Sequence, residues 1–246
     1  MTEGPSSSAS QRLVLVGFGA IGGEVARLLR DVPSIDLVGV AVRNRSDDDG
    51  GSRPGMPLSA RLTTDPAEMA ALSPDVVAEA AGRESVEPWG LAALECGADF
   101  VVSSVSALAD ASLLDRLRAA AVAAGAQLHI QPGALGGVDA LSAARLMGID
   151  EVEHRMVKPP RAWRDTPAED LCDLDALTEP TEFFTASAAE TATAFPKNAN
   201  VAMTTALAGI GPDRTTITLV ADPTAETNRH EVNARGAFGQ LSVAIA

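Results

Sequence analysis

The 246-residue chain has no tyrosine, only two cysteines and two tryptophans, and 3% aromatic residues overall. The missing phenol excludes every mechanism in which tyrosine is the general base. Cys96 and Cys172 are too few for a disulfide framework or a four-cysteine zinc site, which makes a reducing, cytoplasmic setting the default expectation. Lysine is scarce too: of 19 basic residues only Lys158 and Lys197 are lysines. Either two surface lysines survive by chance, or an ammonium is kept where a compact point charge is needed and arginine's planar fork will not serve. No apolar run approaches the ~20 residues of a membrane span. A net charge of −14 and a pI near 4.5 leave no clustered cations to neutralise phosphates, so neither a membrane nor a nucleic acid is an expected partner.

What is present is alternation. An apolar run at 12–17 is followed by a glycine turn and a helical pattern, and a Val-rich run at 35–42 closes a βαβ unit. After a loop at 43–57, helix signals at 66–71, 87–96 and 110–124 alternate with strand signals at 76–80, 100–103 and 127–131. Such a series predicts a parallel sheet covered on both faces. The chain breaks at Pro132-Gly133-Ala134-Leu135-Gly136-Gly137 and continues with a helix from Val138. Longer strand-like runs at 152–157, 182–186, 215–220 and 228–234 follow, with a helix at 198–208 among them. The expected class is α/β: a Rossmann-type parallel sheet domain plus a second α+β domain with a mixed sheet. The expected division is a disordered leader at 1–11, a dinucleotide-binding domain at 12–132, a substrate, catalytic and dimerisation domain at 133–236, and a segment at 237–246 returning to the first domain. The final residues look like a strand, and a terminal helix is expected beyond them.

Gly17-x-Gly19-x-x-Gly22, with Ala20 and Ile21 inside the turn, stands between a strand and a helix. Gly17 permits the tight turn, Gly19 lets backbone approach a pyrophosphate, Gly22 allows close helix–strand packing, and the helix N-terminus attracts phosphate. A site selective for NAD usually ends its second strand with Asp or Glu, to accept from the ribose hydroxyl. Here Arg43 and Arg45 occupy that region, either as solvated loop cations or as a grip for a 2′-phosphate, so the cofactor is NADP or NAD. His129 and His154 alternate within strand patterns and read as satisfied sheet histidines. His230 follows an Asp-Pro turn at the entry to a late strand, where it is better placed to meet a substrate. Phe195-Pro196-Lys197-Asn198-Ala199-Asn200 opens a helix; Asn198 or Asn200 is either an N-cap or, with Lys197, part of a site for a carboxylate or a nicotinamide amide.

Several segments together resemble the L-aspartate dehydrogenases: the glycine loop, Ser106 to Asp110, Gly133 to Leu141, Val157 to Pro160 with Trp163 nearby, Phe195 to Ala202, Ala221-Asp222-Pro223 followed by Asn228-Arg229-His230-Glu231, and Gly236 to Gly239. The resemblance spans nearly the whole chain. It implies a two-domain enzyme, usually a homodimer, that oxidises L-aspartate with NAD(P)+ to iminoaspartate, which hydrolyses to oxaloacetate and ammonia or feeds quinolinate and pyridine nucleotide synthesis. It also implies that His230 is the catalytic histidine and that Ala134 and Asn200 contact the cofactor. Two departures stand out: Ser106 occupies a position where the family commonly has glycine, and the family's segment and helix after the last strand are missing here, which would cost the first domain a packing element. Lys158, Arg161 and Lys197 are the cations best suited to the two substrate carboxylates, with Asn198 beside them. A related reductase acting on homoserine or dihydrodipicolinate, and a non-catalytic NAD(P)H sensor, are the alternatives.

Overall fold

Short apolar runs of four to seven residues separated by turn clusters suit buried strands, and the longer periodic runs between them suit helices. The computed structural model describes residues 10–44 and 55–246. Contacts divide the chain into a unit at 1–131 and a unit at 132–246. The first holds β1 (Gln11–Val16), α1 (Ala20–Leu29), β2 (Ile35–Ala41), β3 (Arg61–Thr63), α2 (Met69–Leu72), β4 (Val76–Glu79), α3 (Arg83–Glu95), β5 (Asp99–Val102), α4 (Ala111–Ala124) and β6 (Leu128–Ile130). All neighbouring strands pair in parallel, in the order β3-β2-β1-β4-β5-β6. The central strands carry the core: Val14, Val40, Val77 and Phe100 are fully buried, as a sheet covered on both faces requires.

Local chemistry sets several boundaries. The Asp110 carboxylate accepts from the Ser112 and Leu113 amides and so starts α4, and Gly125, in the left-handed region, ends it. The third helix begins at Arg83 rather than 87, with Pro88 inside it. The three-residue β3 gave no alternation to detect. Gln11 already belongs to β1, so the leader is shorter than 1–11; residues 1–9 lie outside the described residues.

The second unit holds α5 (Val138–Arg145), β7 (Ile149–Lys158), α6 (Ala168–Leu171), β8 (Thr181–Ser187), α7 (Ala188–Ala194), α8 (Ala199–Ala208), β9 (Thr215–Ala221), β10 (Arg229–Gly236) and β11 (Gly239–Ile245). The sheet order is β11-β10-β7-β9-β8; β7 and β9 are parallel and the other pairs antiparallel, giving the expected mixed sheet. Helices α5 and α7 pack on α8, which lies against β7 and β9. Helix α7 is an addition to the sequence reading, and its signal is the capping box of Ser187 and Glu190.

The segment 237–246 does not return to the first unit. It turns at Ala237-Phe238, and β11 pairs antiparallel with β10 from Gly236 opposite Gly239 to His230 opposite Ile245. A two-residue hairpin leaves no chain with which to leave the sheet, and Gly239, at φ +108°, suits the turn. Among the described residues no helix is long and apolar enough to cross a membrane.

Candidate active site

At the carboxyl ends of β1, β2 and β4 lies a cleft of about 660 Å³, lined by Gly17, Arg43, Thr64, Gly82, Arg83 and Trp89 among others. It opens beside β1 and β4, where the strand order reverses, which is where open α/β sheets bind ligands. The glycines divide by role. A Cβ on Gly17 would sit 2.6 Å from the Ala80 carbonyl oxygen, and one on Gly22 would sit 2.1 Å from that of Gly17, so both are demanded by the turn itself. A Cβ on Gly19 would meet nothing within 4 Å, so protein packing does not explain this glycine, and the open space leaves room for a ligand to approach the backbone. Helix α1 begins there with no side-chain cap and no acid in its first turn, leaving its first amides to a phosphate. Ala20 and Ile21 form that first turn, both exposed. These features fit a dinucleotide. Arg43 lines the cleft with its side chain 83% exposed, only loosely paired with Glu84 at 3.9 Å; Arg45 lies outside the described residues.

Below the cleft is a residue that sequence reading passed over. Glu79 ends β4 and is 1% exposed. Its Oε1 accepts from the Ala81 and Gly82 amides at 2.8 and 2.7 Å and from the Ser85 and Ser104 hydroxyls, while Oε2 accepts from the Ser103 and Ser104 amides at 3.2 and 2.8 Å. One carboxylate thus ties the loop after β4, which forms a wall of the cleft, to the loop after β5. Its sequence signal is an acid closing an otherwise apolar strand, Val76-Val77-Ala78-Glu79.

The second unit gathers a different set. On β7, His154, Met156 and Lys158 alternate onto the face covered by α8, and on β10 His230 lies opposite Met156 and therefore between His154 and Lys158. His230 is 6% exposed, and its Nδ1 is 3.0 Å from His154 Nε2; the Nδ1 of His154 is 2.9 Å from the Thr205 hydroxyl of α8. Lys158 donates to the side-chain oxygen of Asn198 and lies 5.0 Å from the centroid of the Trp163 ring. Asn198 is buried and makes no cap hydrogen bond, so the capping reading fails and its carboxamide serves the lysine. Among the described residues Lys158 has no carboxylate within ion-pair distance. Asp222, at the end of β9, accepts from the Thr224 amide and hydroxyl and shapes the turn that precedes β10. Among the described residues no cluster could hold a metal ion.

Burial pushes all three basic groups towards their neutral forms. His154 is driven down to about 3, first by desolvation and then by repulsion from His230. His230 is lowered by desolvation and by the Lys158 ammonium, and Lys158 by desolvation. Below pH 6.5 the unfolded chain protonates these histidines while the folded chain does so only at lower pH, so their contribution to stability is complete above that pH and is lost as pH falls beneath it. Each unprotonated histidine costs up to about 1.4 kcal/mol per pH unit. Thermal denaturation between pH 7.5 and 4.5 should show a steeper loss for the wild type than for His154→Leu; parallel curves would contradict a buried neutral His154.

The remaining candidates are less gathered. Lys197 lies in the 3-10 turn at Pro196–Asn198, with its side chain outside the described set. Asn200 is exposed in the first turn of α8, and Ala134 is exposed in the turn before α5. Arg161 is already committed, donating to the Glu226 carbonyl at 2.7 Å. His129 is a surface sheet residue 3.4 Å from Asp99. His154 is a satisfied sheet histidine as expected, but its partner is His230, across 76 sequence positions.

Two family models match: "Homoserine dehydrogenase, NAD binding domain" over residues 17–131 and "Aspartate dehydrogenase, C-terminal" over residues 139–246. An L-aspartate dehydrogenase of Brucella anthropi is 55% identical over 235 residues, 95% of this chain and 86% of its own length. That of Pseudomonas aeruginosa is 41% identical over 237 residues, 95% of this chain and 87% of the relative. The crystal structure of aspartate dehydrogenase from Thermotoga maritima superposes with a TM-score of 0.75 at 25% identity, covering 96% of this chain and 89% of that one. An amine dehydrogenase from Mycobacterium smegmatis, 17% identical with a TM-score of 0.57 over 96% of this chain and 86% of its own, shares the fold. With an NAD-binding first domain and relatives of this identity over nearly its whole length, the chain belongs to the L-aspartate dehydrogenase family.

Proposed function

We infer that the protein catalyses the reversible NAD(P)-dependent oxidation of L-aspartate to iminoaspartate, which water converts to oxaloacetate and ammonia. The observation that carries the substrate side is Lys158: a half-buried ammonium beside Asn198 and His230, with no carboxylate partner among the described residues, is a prepared site for a substrate carboxylate. Lys197 is the second cation assigned to aspartate. When bound, NAD(P) supplies the acceptor for the hydride that leaves Cα. Gly17, Gly19, Ala20, Ile21 and Gly22 receive its phosphates, with Ala134 and Asn200 as further contacts. The chain's own work is proton handling: the α-ammonium of aspartate must lose a proton before its lone pair can help expel hydride, and water attacking the imine must lose one too. His230, held neutral by burial, takes the first, releases it to solvent once hydride has left, and is then free to take the second.

Cofactor reduction followed at 340 nm on adding amino acids tests the assignment. L-aspartate should support turnover, whereas glutamate, alanine and homoserine should not; activity on homoserine at an equal rate, or no turnover with any of them, would overturn it. Lys158→Met should raise the KM for aspartate by tenfold or more with cofactor affinity unchanged.

Cofactor choice follows from Arg43 and Arg45, which follow β2 where a site selective for NAD places its acid; the chain has none there before Asp47. NADP should be accepted at least as well as NAD. Arg43→Ala should weaken NADP selectively, by about tenfold, since a charge-assisted hydrogen bond contributes about 1.5–3 kcal/mol. A wild type that strongly prefers NAD would leave both arginines as solvated cations. A cytoplasmic homodimer completes the proposal. Both cysteines are free thiols, which suits a reducing compartment, and light scattering should return twice the 25.2 kDa of one chain.

A further inference from the structure

The mechanism above leaves two buried polar side chains without a role, and both lie in a line with His230. Thr205, His154 and His230 come from α8, β7 and β10, are 1%, 0% and 6% exposed, and are joined by contacts of 2.9 and 3.0 Å. We propose that His154, anchored by Thr205, is a positioning residue that holds His230 in the tautomer protonated at Nδ1, leaving the lone pair on Nε2 to receive the substrate's proton. This rests on the reading of His230 as the base and adds what makes it one.

A hydrogen bond between two imidazole nitrogens contains one proton, contributed by one ring. If His230 donates from Nδ1, His154 accepts at Nε2, carries its own proton on Nδ1 and donates it to the Thr205 oxygen. If the chain runs the other way, the Thr205 hydroxyl donates, His154 donates from Nε2, and His230 is left with a proton on Nε2, where it can no longer act as a base. The neighbours select the first arrangement. Val232 and Ile217 lie beside His154 on the adjoining strands and, being apolar, favour neither direction, so the choice falls to the neighbours of His230. His230 lies between His154 and Lys158, so with Nδ1 turned to His154 its other ring edge faces the lysine side. An ammonium there favours a lone pair over an N–H. Ile245 is opposite His230 on β11, while Arg229 and Glu231 alternate onto the other face of the sheet and bond to each other. When Nε2 takes a proton, the Nδ1 proton stays in its bond to His154, so the charge is stabilised without moving a ring.

The full-length protein, uniformly labelled with ¹⁵N, provides a test that needs no turnover. With three histidines in the chain, long-range ¹H–¹⁵N correlations at pH 7.5 can be assigned by single substitution. Nδ1 of both His154 and His230 should carry the proton and both Nε2 atoms should be bare; a proton on His230 Nε2 would overturn the proposal. Kinetics then separates positioning from packing. His154→Leu should lower kcat for aspartate by about 10- to 100-fold and alter the acidic limb of the pH profile with cofactor Kd unchanged, whereas His154→Gln, which keeps an acceptor for Nδ1, should recover most of the rate. Thr205→Val should fall between them and Thr205→Ser should match wild type. A folded His154→Leu with kcat within twofold of wild type and the same pH profile would refute the role. Should the wild type fail to oxidise aspartate at all, the reaction assignment falls, while the tautomer measurement still decides the arrangement of the three side chains.

Discussion

Replacing His230 with Ala should lower kcat for aspartate oxidation by about 10²–10⁴-fold, the usual contribution of a positioned acid/base group, while the affinity for NAD(P) stays within a few-fold of wild type. The reason for the split is that the glycine turn after β1 and the β10 entry that carries the histidine belong to separate units, so removing the imidazole leaves the turn intact. The pH profile has a sign as well. His230 is buried and sits near the Lys158 ammonium, so it loses its proton below pH 6.5, and any limb it contributes lies on that acidic side. A continued rise of rate above pH 8 therefore belongs to the amine of free aspartate, and should persist in variants that retain activity. Steady-state kinetics on protein shown to be folded by circular dichroism decides the matter. If His230→Ala turns over aspartate within a few-fold of wild type, the base lies elsewhere.

Glu79→Leu should be the most destabilising single change in the first unit. The substitution keeps an apolar body of similar size but removes the acceptor for the amides of Ala81, Gly82, Ser103 and Ser104. A buried donor left unpaired costs about 1–3 kcal/mol, and loss of one member of a fully engaged buried network costs about 3–5 kcal/mol in all. For a chain of this length that corresponds to a fall in Tm of roughly 10 °C. Because Ala81 and Gly82 line the cleft, NAD(P) affinity should fall as well, which titration of cofactor fluorescence would show. Glu79→Gln should lie between, since its amide oxygen can accept but its NH₂ faces other donors. A Glu79→Leu protein with the Tm of the wild type would mean that the two loops are held by other contacts.

The division of labour between sequence and tertiary structure is visible in particular residues. Gly17 and Gly22 are legible because their requirement is local: a tight turn and a helix start within six residues of one another. His230 is legible from its place after an Asp-Pro turn and from the resemblance of Asn-x-His. Lys158 is legible mainly through scarcity, since a chain that otherwise chooses arginine draws attention to an ammonium. By contrast, His154 has the alternation of any sheet residue, and only the antiparallel register of β10 on β7 places it against His230. Glu79 resembles a strand-end acid, and its six donors come from two loops and the first turn of α3, up to 25 residues away.

By itself the sequence determined the elements and their class. Apolar runs of strand length, glycine turns and capping residues act over a few positions, so the parallel first sheet, the mixed second sheet and the dinucleotide turn follow from local chemistry. Only the tertiary structure decided the path of the last ten residues. Alternation at Leu241, Val243 and Ile245 makes a strand but does not say which edge it joins; the two-residue hairpin and the free edge of β10 do. It also decided which polar groups meet. Pairing depends on register, a shift of one residue turns every side chain to the other face, and local sequence does not encode that choice. The Thr205–His154–His230 line and the Lys158–Asn198 contact exist because β7 runs beside β10 with one face under α8.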